Sequence, residues 1–436
     1  MNTPVTVHPV DEMLPLSKLF AFGLQHVLAM YAGAVAVPII VSQALGLSAE
    51  QLIYLINADL FTCGIATLIQ TLGVGNIGAR IPMIQGVTFA AVAPMIIIGQ
   101  SHGLPGIYGA IIVAGIATFF MAPYFSRLIH YFPPVVTGTI ITIIGITLMP
   151  VAVLWAGGGN PTAKDFASIP NLLLASFTLL VVLLIYRFGK GFWSNISVLL
   201  ALLLGTAVAY VFGFAHFDHV LTANWFGITT PFSFGFPTFD ASSIVSMLIV
   251  MLVCMTETTG DCIAIGEIVD KKIGTKDLAR CLRADGLSTL LGGILNSFPY
   301  TAFAQNVGLI SLTNVRSRFV VATSGAILII LGLFPKMAAV IASIPNSVLG
   351  GAGIAMFGMI AASGIRTLAK VEFAETSNLM VIAVSLGIGT ITLASPNFYH
   401  NFPGWVQIIM HSGITAGSLT AIILNLLLNG REKAKI

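Results

Sequence analysis

The chain is a succession of apolar runs, each close to the roughly twenty residues a helix needs to cross a bilayer, joined by short polar connections. Few folds suit that pattern. Lipid offers no partner to backbone N–H and C=O groups, so only helices and closed barrels span it. The runs are continuous rather than alternating, which argues against a barrel. Of 436 residues, 57% are hydrophobic and only 8% charged, where a soluble domain carries roughly 25% charge. An all-α membrane protein is expected, without a sizeable soluble domain. The first apolar run is too long for a cleaved signal and is expected to stay as the first span. The net charge of +3 is small and the basic residues lie in loops, so nucleic acid is not expected as a partner. Cys63, Cys254, Cys262 and Cys281 lie in or beside apolar segments without metal-type spacing. They read as reduced packing residues, and no metal site is expected.

Placed along the chain, the apolar runs give fourteen spans. The eleventh, at 317–341, and the fourteenth, at 404–428, each read as one span. With both termini on the cytoplasmic side, only Lys164 and Lys336 of the 19 Lys and Arg residues fall outside. The inner set includes Lys18, Arg80, Arg366, Arg431, Lys433 and Lys435. This is the bias of the positive-inside rule. The chain is expected in the cytoplasmic (inner) membrane as a multi-pass protein.

The eighth run, Ser242 to Glu267, holds Glu257 and Asp261 in its middle. An acid at the bilayer centre costs roughly 3 to 10 kcal/mol or more, depending on the scale. Residues four apart share a helix face, so both acids can point into one protected cavity. Such a pair is by default a site for a polar solute, an ion or a proton. The chain therefore reads as a transporter. Walker A, GxSxG and HExxH motifs are absent from the sequence, and an enzyme is not expected.

An internal repeat supports this. The run Phe132-PPVVTG-Gly138 recurs as Ile344-PNSVLG-Gly350, with Pro133 matching Pro345, Val136 matching Val348 and Gly138 matching Gly350. The offset is near half the chain, or seven spans. An odd number of spans reverses orientation, so the halves are expected to form a 7+7 inverted repeat, as in alternating-access carriers. Chance recurrence of helix starts is the plainer alternative. Two repeat-equivalent spans, the third (81–95) and tenth (298–313), are short and begin with Pro and extended-type residues. Each is expected to be a half-helix preceded by a short strand. Extended backbone at membrane depth survives only inside protein or beside a cavity, so this pair marks the expected binding site.

The segment Gln305-Asn-Val-Gly-Leu-Ile-Ser-Leu-Thr-Asn314 resembles the signature of the nucleobase–ascorbate transporter family. Gln25-His26 in the first span, Glu257-Thr-Thr-Gly-Asp261 in the eighth and Ala284-Asp285-Gly286 in the ninth agree with it. The run Gln85-GVTFAAVAPM is most similar to the bacterial uric acid and xanthine permeases. The resemblance implies a core domain of residues 17–128 (spans 1–4) and 242–341 (spans 8–11). It implies a gate domain of residues 133–214 (spans 5–7) and 346–428 (spans 12–14). It also implies proton-coupled purine uptake without a cofactor, and a homodimer, embedded in lipid, joined through gate domains. Gln305 matches the purine type, where uracil carriers have Glu. Asn314 departs from the Arg, Lys or Gly of many relatives, which bears on fine selectivity.

On this reading Glu257 accepts hydrogen bonds from purine N–H groups, and Gln305 offers a donor and an acceptor to the ring edge. Phe89 stacks on the purine and Thr88 tunes selectivity through its hydroxyl. Asn306 orients the site. His26, Asp261 and Asp285 form either a proton-coupling relay or a structural network among spans 1, 8 and 9. Asp59 and His411 read as packing groups, and Glu267 as solvated. The expected substrates are uric acid, slightly favoured, and xanthine. The alternatives are a uracil or other nucleobase permease, or an anion transporter on a related inverted-repeat fold.

Overall fold

The computed structural model describes residues 8–128, 132–374 and 376–430. Arg431, Lys433 and Lys435 of the charge pattern lie outside the described residues. Two helices open the chain: α1 (Leu16–Ala44) and α2 (Ala49–Leu72). The Ser48 hydroxyl accepts the Gln51 N–H and the Gln51 side chain accepts the Ser48 N–H, a reciprocal cap that starts α2. A three-residue strand β1 (Gln85–Val87) and a 3-10 turn (Phe89–Ala91) then lead into α3 (Val92–Leu128). Non-helical backbone at Gly103 (φ 69°) kinks α3. The first half closes with α4 (Pro134–Ala156), α5 (Ile169–Phe188), the short α6 (Phe192–Asn195), α7 (Ser197–Val211) and the short α8 (Asp218–Thr222).

The second half begins with α9 (Ala241–Ile268), capped by Asp240, and α10 (Thr275–Ile294). Strand β2 (Tyr300–Ala302) and α11 (Ala304–Thr313) repeat the strand-then-helix order of β1 and α3. Then come α12 (Arg318–Gly332), α13 (Pro335–Ala342), α14 (Asn346–Leu368), α15 (Thr376–Ala394), α16 (Gly404–Met410) and α17 (Gly413–Leu428).

Among the described residues, eight helices are long and apolar enough to cross a bilayer, or ten if each of two sharply bent pairs is one span. Those pairs modify the sequence reading. The run 317–341 breaks into α12 and α13 with an 81° bend, and 404–428 into α16 and α17 with an 82° bend. Pro335 accounts for the first break, because the residue before a proline is driven out of helical conformation. Phe334 there has ψ 86°. At 15 residues α12 reaches only about 22 Å.

The helices pack in two sets. The helices α1, α2, α3, α9, α10 and α12 pack on one another, and so do α4, α5, α7, α14, α15 and α17. Within the second set α4 and α14 run antiparallel. Gly138, near the start of α4, abuts Gly364 and Leu368 near the end of α14, and Gly350, near the start of α14, abuts Trp155 and Ala156 at the end of α4. A β-carbon at Gly350 would overlap that backbone, so the repeated glycines are what let this pair approach. The repeated Pro133 and Pro345 are the N-cap residues of the same two helices.

Candidate functional site

The strands β1 and β2 come from opposite halves of the chain and pair antiparallel, Gln85 opposite Ala302, Gly86 opposite Thr301 and Val87 opposite Tyr300. All six residues are buried. Pairing is what makes extended backbone tolerable there, since unpaired peptide groups in an apolar interior cost several kcal/mol each, roughly 2–7. The ladder is extended at both ends: the Thr88 N–H donates to the Pro299 carbonyl at 3.0 Å and the Phe303 N–H to the Ile84 carbonyl at 3.1 Å. Neighbouring helices fix its edges. The Thr67 hydroxyl on α2 accepts the Gln85 N–H at 3.0 Å. The Thr258 hydroxyl on α9 accepts the Ala302 N–H at 3.1 Å and meets the Thr301 hydroxyl at 2.9 Å. Gly86 is required beside the ladder, because a β-carbon there would overlap the Phe303 ring.

The strand pair aims two helix starts at one region. Phe303, the N-cap of α11, makes no side-chain cap bond. The first turn of α11 thus presents its positive dipole end without a competing side chain, and Gln305 sits exposed in that turn. It is not a cap. Thr88 is one: its Oγ1 accepts the Ala90 N–H at 3.1 Å and starts the 3-10 turn before α3. Thr88 is buried, while Phe89 beside it is partly exposed and meets Phe357 of α14 edge-on at 6.0 Å.

Helix α9 packs against β2, α11 and the 3-10 turn. Glu257 and Asp261 lie one turn apart on it, both partly exposed. Beside them the surface is open. A β-carbon at Gly260 of α9 or Gly308 of α11 would meet no neighbouring atom within 4 Å. Glu257, Asp261, Gln305 and Phe89 therefore supply two carboxyls, an amide and an aromatic ring along accessible faces of packed elements.

A deeper polar layer supports these groups. Asn306 donates its Nδ2 to His26 Nδ1 at 3.1 Å and to the His26 carbonyl at 2.9 Å, tying α11 to α1. That contact makes Nδ1 an acceptor and leaves the ring proton on Nε2. Asp285 on α10 accepts from Gln85 Nε2 at 2.9 Å. Among the described residues, no direct hydrogen bond joins His26, Asp261 and Asp285 to one another. The direct contacts there are two buried pairs, Asn306 with His26 and Gln85 with Asp285. Asp59 stands apart: its Oδ1 accepts from Ser297 at 3.0 Å and from Tyr300 at 2.8 Å, so it anchors the start of β2 from α2. All four cysteines are free and buried. Glu267 is exposed.

Sequence reasoning passed over Gln85, Thr258 and Thr67. The only available signal was a polar residue at the head of each broken segment or facing it. Asn314 also gains an explanation. It ends α11 in the left-handed conformation (φ 53°, ψ 23°), which Gly and Asn adopt at least cost.

Comparisons with known proteins agree with this architecture. A model of a permease family, Xan_ur_permease, matches residues 17–398. The chain is 46% identical over 418 residues to the xanthine permease of Bacillus subtilis (strain 168), covering 96% of this chain and 95% of that one. It is 47% identical over 430 residues to the uric acid transporter UacT of Escherichia coli (strain K12), covering 97% and 88%. In fold it is similar to the transmembrane domain of the cyanobacterium bicarbonate transporter BicA, with a TM-score of 0.58 at 15% identity over 96% of this chain and 100% of that one.

Proposed function

Because the chain belongs to the nucleobase–ascorbate transporter family, in its xanthine and uric acid permease branch, we propose that it takes up oxidised purines with protons by alternating access. It is an integral membrane transporter, and the family is one of permeases rather than enzymes. The observation that carries the substrate reading is the meeting of α9 with the first turn of α11. Glu257, Asp261 and Phe89 are partly exposed there and Gln305 is exposed, beside open surface at Gly260 and Gly308. A flat heterocycle with alternating N–H and C=O groups matches that set of acceptors, donor and aromatic surface. The fold shared with a bicarbonate transporter brings no substrate with it, and acids rather than Arg or Lys line these faces.

The same acids motivate the proton. Urate is an anion at neutral pH, and seating it beside two carboxyls in a low-dielectric site is costly unless a positive charge accompanies it, which a proton on one of these acids would supply. His26, Asp261 and Asp285 are the groups proposed to hold or pass that proton. A protonophore is expected to abolish accumulation of labelled xanthine in cells. Accumulation that persists with the proton gradient collapsed, and depends on sodium, would contradict the coupling.

The architecture belongs to the same proposal. Fourteen spans are reached by dividing α3 at Gly103 and admitting α7, α10 and β2 with α11 to the apolar helices. Residues 17–128 and 242–341 would form the core domain, and 133–214 and 346–428 the gate domain. Support comes from the two packing sets and from the antiparallel α4–α14 pair, whose contacts fall on repeat-equivalent glycines. The inward placement of both termini in the inner membrane rests on the Lys and Arg pattern. The homodimer is proposed to form through the gate set, where Leu173, Leu180 and Leu183 of α5 are exposed.

A further inference from the structure

We propose that Gln43 is a gating residue: its amide latches one end of the site shut, and its release is a step of each transport cycle. The inference rests on the alternating-access reading. Gln43 lies in the last turn of α1 and is exposed. Its Oε1 accepts the indole N–H of Trp155 at the end of α4. Its Nε2 donates to Asn346 Oδ1 at 2.7 Å, at the start of α14. Asn346 Nδ2 in turn donates to the Gly158 carbonyl at 3.2 Å. One side chain thus joins the two packing sets, for α1 packs mainly on α2 and α12 while α4 packs mainly on α14.

The latch is continuous with the site. Trp155 is buried and lies 6.3 Å from the Phe357 ring, which meets Phe89 edge-on at 6.0 Å. Gln43, Trp155, Phe357 and Phe89 form one column from solvent to the aromatic of the candidate site. Motion of α4 and α14 away from α1 would part Phe357 from Phe89 and uncover the site from this end. By contrast, the faces around Gly260, Gln305 and Gly308 are open. The structure is therefore a state closed at the Gln43 end and accessible beside α9 and α11.

The chemistry suits a latch that must open repeatedly. An amide satisfies a donor on one helix and an acceptor on another at once. These are neutral hydrogen bonds made by an exposed Gln43, which water can reach when they part, so their net contribution is small.

The test is a distance measurement that needs no substrate. Spin labels are placed through Ala44→Cys and Asn160→Cys, both exposed positions near the latch. The native cysteines are buried and shielded from labelling. In the otherwise unchanged protein one short separation is expected to dominate. In Gln43→Leu a longer separation is expected to grow roughly fivefold or more, the shift produced by losing two modest hydrogen bonds in one of two states. Trp155→Phe keeps an aromatic ring, loses the indole N–H, and is expected to shift the distribution the same way by less. Identical distributions in all three proteins would overturn the latch. If no oxidised purine is transported, the substrate reading fails, and the latch still stands or falls on the distances alone.

Discussion

Gln85 donates its Nε2 to Asp285 Oδ1 at 2.9 Å, and beside that bond Gln85 Oε1 and Asp285 Oδ2 are both buried without a partner. Buried acceptors without a hydrogen-bond donor are costly in an apolar interior. A proton on Oδ2 would complete a cyclic acid–amide pair linking α10 to the first residue of β1. Thr88 and Phe89 follow directly in the chain.

Gln85→Leu is expected to leave Asp285 without its donor. The loss of a buried hydrogen bond with an unsatisfied partner costs about 1–3 kcal/mol. Thermal unfolding in detergent is expected to show that loss, with weaker accumulation of labelled xanthine. A variant with unchanged stability and unchanged accumulation would remove Gln85 from the account.

Glu257→Gln is expected to insert normally and to lose transport. It keeps the size of the side chain and removes the charge and one acceptor. Losing a charge-assisted hydrogen bond costs about 1.5–3 kcal/mol, or roughly one to two decades in affinity. Purine affinity close to wild type in a well-expressed variant would exclude contact between Glu257 and substrate.

Thr88 and Gln305 are expected to set selectivity together. Thr88→Asn retains a capping side chain for the 3-10 turn, so its effect should be on the site rather than on folding. The bulkier amide is expected to disfavour the extra C8 oxygen of uric acid and shift preference toward xanthine. Gln305→Glu removes an N–H donor and is expected to weaken purine binding. The measurement is the ratio of inhibition constants for the two purines, which should move in the first variant.

Asp240 caps α9, the helix that carries both acids. The Ser242 hydroxyl, then the Ser243 N–H, hold its carboxyl down to about 2. The unfolded value is about 3.9. The lowered value means that this cap stabilises fully above the unfolded pKa and is lost as pH falls through the folded one. Asp240→Ala is expected to cost about 1 kcal/mol at neutral pH, less any solvent screening of the partly exposed group. Melting curves of the two proteins should converge between pH 4 and pH 2.

Much of this was legible in the sequence because its signals are local. The acids at Glu257 and Asp261 stand out against an apolar run, and proline before extended-type residues announced both β1 and β2. Pro133 and Pro345, found as a repeat, turn out to start two helices that cross antiparallel. The family reading is also borne out. Pairing across the chain was not legible. Nothing near Gln85 points to Asp285, and nothing near Gln43 points to Trp155 or Asn346, since each contact depends on how distant helices dock. The two broken spans after Gly332 and Met410 escaped because apolar periodicity continues through a bend.

The most direct test is inhibition of labelled xanthine uptake by a panel of unlabelled compounds: uric acid, xanthine, guanine, hypoxanthine, adenine and uracil. Uric acid and xanthine are expected to inhibit most strongly, with adenine and uracil weak, because the oxidised purines join an alternating N–H and C=O edge on the six-membered ring, which adenine lacks, to a second ring with its own N–H, which uracil lacks. Uracil as the strongest inhibitor, or no inhibition by either oxidised purine, would contradict the account.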